Sequence, residues 1–157
     1  MLTKLAREVD SLEHHLALGL PIDQATYWAT NAAITAWHLV DWAYADMTDA
    51  QQVSLGATLG VILTGNAGAD RFTDYVVQEN DLHVVLKPSS IARFEKVLPE
   101  VTLTATFTLA DGTFPQPYDL IVRVDGDDKP HEILHVLQRA SAWWESFVRQ
   151  NGIAVQS

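Results

Sequence analysis

The chain has 157 residues, with twenty acidic against ten basic side chains for a formal charge of -10, 48% hydrophobic residues and no cysteine. That length and composition predict one domain with an ordinary core and exclude disulfides, thiolate metal sites and cysteine nucleophiles. The acidic balance opposes phosphate backbones and anionic lipid, so nucleic acid and membrane surfaces are not the expected partners.

The absence of cysteine fits a cytoplasmic protein, and the opening segment carries charges throughout and lacks a signal-peptide core. Leu2, Leu5, Val9, Leu12 and Leu16 form a buried stripe that predicts a first helix over 2–18, with Thr3 or a neighbour as its cap. Gly19 and Pro21 break it. Asp23 is the expected N-cap of a second helix running to about Met47. Thr48 followed by Gln51 three residues later has the pattern of a capping box. A third helix is expected across the Val53–Leu63 region, where Gly56 and Gly60 lower propensity but permit close packing. Gly65 and Gly68 read as a turn, and a short helix is expected from Asp70 to Asn80 around Phe72 and Val76. Residues 82–86 fit either its continuation or an extended piece. Ser90 is placed to cap a helix over 91–98.

The period changes at Val101. VTLTATFTL alternates, setting Val101, Leu103, Ala105, Phe107 and Leu109 on one face, and YDLIVRV sets Tyr118, Leu120, Val122 and Val124 on another. These runs predict an antiparallel hairpin over about 101–124. Asp128 and Pro130 open a last helix whose apolar side is Ile133, Leu134, Leu137, Ala140, Trp144 and Phe147, and Gly152 stops it. Tryptophans gather in the second and last helices, which predicts an aromatic core shared between them. The expected fold is a mainly α single-domain helical bundle over 1–152 with an inserted antiparallel β-hairpin and a short tail at 153–157.

In the second helix, Tyr27, Asn31, Ile34, His38, Asp41 and Ala45 recur at alternating steps of four and three, so they share one side. The stretch Ala29–Ala45 is apolar, but Asn31, His38 and Asp41 within its 17 residues favour a core helix over a membrane span. Set among tryptophans and alanines, these three residues are candidate ligand-binding groups, with Asp41 placed to orient His38. The structural alternative is a satisfied buried network that fixes helix register.

HEILH at 131–135 matches the HExxH pattern, in which two histidines four apart on a helix bind one metal ion and the glutamate serves as base. No HExxHxxGxxH extension follows, so a third ligand must come from elsewhere, and His38 is the candidate. His38 with the His131–His135 pair resembles the DinB-like/YfiT-like helical bundles. That resemblance implies a divalent metal such as zinc, nickel or manganese held by His38, His131 and His135, with hydrolase or metal-dependent transferase chemistry. The strand pair departs from the four-helix pattern of those bundles. The helical layout also resembles HEPN-like bundles, whose ribonuclease signature is an arginine, several variable residues and then a histidine, but no such pair stands in a late helix: Arg71 and His83 are too far apart, and His131 and His135 precede Arg139. P-loop, GxGxxG and GxSxG patterns are absent. The expected role is noncatalytic assembly or small-ligand binding by a homo-oligomer, a dimer in its simplest form; the alternative is the divalent-metal protein.

Overall fold

The computed structural model describes residues 1–86, 93–98, 116–124 and 126–154. In chain order these form α1 (Leu2–Ala17), α2 (Ile22–Asp46), α3 (Asp49–Leu59), α4 (Gly65–Asn80), α5 (His83–Leu86), β1 (Arg93–Val97), β2 (Asp119–Arg123), β3 (His131–Glu132) and α6 (Ile133–Asn151). The architecture is a mainly α bundle carrying a small antiparallel sheet, as the periodicities predict. Among the described residues no helix is long and apolar enough to cross a membrane.

Helices α1, α2 and α6 pack on one another, and α4 lies against α2 and α6. The α1 stripe is buried at Leu5, Val9, Leu12 and Leu16. Each such leucine withdrawn from water stabilises the fold by about 1.5–3 kcal/mol before entropy is counted. The inner face of α2 is built from Ala25, Ala29, Ala32, Ala33, Ala36 and Ala43, with Leu39 and Val40 beside them. Small side chains let neighbouring backbones come close, and the larger residues of α1 and α6 fill the space between the helices. Helix α2 starts at Ile22 directly after Pro21, so Asp23 lies in its first turn instead of capping it.

The aromatic core differs from the one expected. Helices α4 and α6 make it together, with Tyr44 as the contribution of α2. Phe72 lies 6.4 Å from Trp144 and 5.6 Å from Phe147, and Trp143 stacks on Phe147 at 4.7 Å between centroids. Tyr44 joins this cluster at 5.8 Å from Phe72. Trp42 is exposed and Trp37 only half-buried.

Thr48 caps α3 as its sequence predicts. Its hydroxyl accepts from the Gln51 backbone N–H, and the Gln51 side chain accepts from the Thr48 backbone N–H. The Gln51 amide also donates to the Asn151 carbonyl at 2.7 Å, tying this cap to the end of α6. Gly152 ends α6 in the left-handed region, φ 60.

Gly65 and Gly68 fall within α4, Gly65 as its first residue with φ 58. For Gly68 the reason is steric. Gly68 lets the helix lie against the Leu63 backbone and the Tyr44 hydroxyl, where a Cβ would collide with both. That hydroxyl donates to the Gly65 carbonyl at 2.9 Å.

Residues 93–97 form a strand and not part of a helix. Arg93 pairs with Arg123 and Val97 with Asp119 along β2, so tertiary pairing overrides the local pattern. The face of β2 predicted to be buried is buried, at Tyr118, Leu120, Val122 and Val124. Its neighbours are β1 on one side and β3 on the other. The alternating run 101–109, expected as the hairpin partner, lies outside the described residues, as do Ser90 and Ile91. The sheet is fastened to the α1–α2 turn: the Tyr118 N–H donates to the Leu16 carbonyl at 3.2 Å, and its hydroxyl to the Leu20 carbonyl at 2.7 Å.

A Cβ at position 68 would lie 2.5 Å from the Leu63 carbonyl carbon. Gly68→Ala is therefore expected to destabilise the protein by about 1–3 kcal/mol through overpacking, read as a lower midpoint in denaturant unfolding with an unchanged slope.

Candidate functional site

The line of residues along α2 faces outward. It lies opposite the alanine face, because steps of four and three on a helix keep one azimuth while Ala25, Ala29, Ala32, Ala36 and Ala43 occupy the other. Tyr27 is 61% exposed, Ile34 42%, and Trp42 beside them 42%. His38, Asp41 and Ala45 are exposed, and Asn31 is half-buried. The expectation that Asn31, His38 and Asp41 sit inside the bundle is corrected. A segment apolar on nearly every side does not reveal which face turns inward, and here the smallest side chains do. Among the described residues the buried polar groups are Glu8, Thr35 and Asn80 instead.

The Tyr27 ring is held edge-on to Trp28 at 5.4 Å, and Trp28 in turn lies 6.0 Å from His15 of α1. The outward face therefore has a fixed aromatic end at Tyr27–Trp28. Its other end carries Asp41 and Trp42. Between Gln24 and Val40 no Asp, Glu, Lys or Arg occurs, which leaves a long neutral strip on an acidic protein.

The HEILH segment does not lie on one helix. His131 and Glu132 form β3, with His131 opposite Val122, and α6 begins only at Ile133. The strand-to-helix junction removes the one-turn spacing that would aim two imidazoles at one point. His135 is exposed in the first turn of α6, and His38 is exposed on the outward face of α2. Among the described residues no group of three or more His, Asp or Glu side chains is placed to hold a metal ion. The geometry thus does not bring His38, His131 and His135 together as a zinc, nickel or manganese site. Asp128 and Pro130 precede β3 and do not cap α6, whose N-cap position is Glu132.

His131 has a different partner. Its Nε2 lies 2.9 Å from Asp127 Oδ2, and the Lys129 backbone N–H donates to the other carboxylate oxygen at 3.0 Å. The hydrogen bond from His131, followed by that from Lys129, holds the Asp127 carboxyl below its ordinary 3.8.

A polar cluster that the α1 stripe conceals sits between α1 and α2. The Lys4 ammonium donates to Thr35 Oγ1 at 2.6 Å and pairs with Glu8 Oε1 at 2.9 Å. Glu8 is 6% exposed, and its Oε2 has no hydrogen-bond partner among the described residues. The cluster borders a cleft of about 910 Å³ lined by Lys4, Arg7, Glu8, Ser11 and Trp28, among others. The sequence held a signal for it: Glu8 stands three after Leu5 and four before Leu12, so it borders the apolar stripe beside Val9.

A depressed carboxyl stabilises the fold above its unfolded value and loses that contribution as pH falls through the folded value. Asp127→Asn should therefore be less stable than the parent at neutral pH, with the difference closing below the ordinary aspartate range; unfolding midpoints measured across an acid titration read this directly. No family model, curated protein or solved structure matches this chain, so the α2 face and the α1–α2 cleft are interpreted from their own chemistry.

Proposed function

We propose that this chain is a noncatalytic assembly protein that associates with copies of itself through the outward face of α2. The observation that carries this reading is the row of Tyr27, Ile34 and Trp42, exposed at 61%, 42% and 42% along one helix. Single exposed apolar residues are ordinary, but a row of them on one rigid element forms a surface that gains by being covered. Covering it returns about 25 cal/mol per Å² of apolar surface, against the translational and rotational freedom lost on association.

Charge supports the same face. Two molecules of formal charge -10 repel, so a contact between copies favours the neutral stretch Gln24–Val40. The remaining repulsion is long-range and screened by salt. Association is therefore expected to tighten as ionic strength rises. Sedimentation at several concentrations should show a reversible dimer, and Ile34→Glu should shift it to monomer with helical circular dichroism unchanged. A parent protein that stays monomeric at high concentration and high salt would overturn the reading.

The α1–α2 cleft supports a second reading, small-ligand binding. Its basis is the buried Glu8 Oε2, an acceptor without a partner among the described residues. A buried carboxylate oxygen favours a hydrogen-bond donor, and Trp28 on the cleft wall offers an apolar surface beside it. The matching ligand class is a small primary amine with an apolar body. Titration with simple alkylamines should move the amide resonances of Lys4, Glu8 and Ser11, and Glu8→Gln should abolish the effect. Uniform small shifts across the protein would count against a site.

A further inference from the structure

We propose that two copies of this chain pair α2 against α2 in antiparallel fashion, so that Tyr27 lies against Ala45, Asn31 against Asp41 and Ile34 against His38 of the second copy. This rests on the assembly reading and gives it a partner and a register.

The first argument is geometric. The seam residues Tyr27, Asn31, Ile34, His38, Asp41 and Ala45 follow steps of four, three, four, three and four. That is the spacing by which two helices mesh side chains along a shared seam. The series reads the same in either direction. Turned end for end, it superposes on itself with every seam residue matched. A two-fold contact has this property: residue i meets residue j, and j meets i.

The second argument is chemical. In this register each matched pair is compatible. The exposed Tyr27 ring meets the small Ala45, so bulk faces a gap. The Asn31 amide donates to the Asp41 carboxylate, which gives a polar group between the centre and the end of the contact a hydrogen-bond partner. Ile34 lies against His38, whose imidazole keeps an edge toward solvent. Parallel pairing would set Asp41 against Asp41 and Tyr27 against Tyr27, placing like charge on like charge in a partly desolvated strip. A polar residue within a helix seam is also a known means of fixing register and orientation at some cost in stability.

The third argument comes from the flank. Trp28 and Trp42 stand on the same side of the seam, one near each end of α2. Antiparallel pairing brings Trp42 alongside Trp28 of the second copy, and Trp28 is already braced by Tyr27 at 5.4 Å and His15 at 6.0 Å. An exposed tryptophan thus meets a fixed aromatic platform at both ends of the contact.

The absence of cysteine in the chain makes the test clean. Asp23→Cys and Asp46→Cys, each carrying a nitroxide label, report the separation of equivalent positions across the dimer by pulsed dipolar spectroscopy. At 1.5 Å rise per residue, the proposed register separates position 23 from its equivalent by about 39 Å along the helix axis, and position 46 by about 30 Å. Sliding the pair by one heptad toward the start of α2 reverses that order, and parallel pairing makes both separations short. The proposal expects the longer distance at position 23, and loss of both signals on adding Ile34→Glu. A dimer by sedimentation with two short distances, or with the order reversed, overturns the antiparallel register while the assembly reading survives. A monomer by sedimentation with no dipolar signal overturns both.

Discussion

The alanine face of α2 is the constraint on which the remaining packing depends. Six alanines on one side of a 25-residue helix leave little bulk there. The helix can therefore sit close to α1 and α6, and these supply the leucines, isoleucine and tryptophan that fill the core. The same choice decides what α2 shows to solvent. With its small residues inside, its bulky ones must go to the flanks or outward. Tyr44 reaches sideways into the α4–α6 aromatic cluster, Trp28 and Trp37 are half-buried, and Tyr27, Ile34 and Trp42 stay exposed. The exposed row is thus a consequence of how the interior is built.

Much of the fold was legible in the residues, wherever one face was clearly more apolar than its opposite. The α1 stripe, the α6 stripe, the inward face of β2 and the Thr48–Gln51 cap all follow from local pattern, and the structure contains each of them. Pattern failed where both faces were alike or where a distant element intervened. Helix α2 is apolar nearly all round, so its spacing showed a line of residues without saying whether that line turned in or out. Residues 93–97 have helical company in sequence, but β2 offers them a ladder. Gly68 of α4 looks like a turn residue until the Leu63 backbone is seen to need the room.

The candidate sites divide in the same way. Asn31, His38 and Asp41 do share a face, as their spacing requires, and lie on the side where a second molecule rather than the core can meet them. The HEILH pattern needs a continuous helix, and the junction at Glu132 denies it one. His131 instead partners Asp127 in the turn before it, a contact four residues back that the HExxH pattern does not indicate. Glu8 went unnoticed because Val9 beside it completes the apolar stripe, so the spacing gave no reason to place a carboxylate inside. In the structure it is a buried carboxylate joined to Lys4, with Thr35 of α2 on the other side of that ammonium.

The Gln51 amide links two helix ends far apart in the chain. Its oxygen completes the cap of α3, and its nitrogen holds the last carbonyls of α6. Fraying at the end of α6 thus releases the group that closes the start of α3, and loss of that cap frees the carbonyls at the other end. The two termini are joined through one side chain, so loosening at one removes hydrogen bonds that hold the other. One side chain near the start of α3 thereby clasps an early helix to the last one.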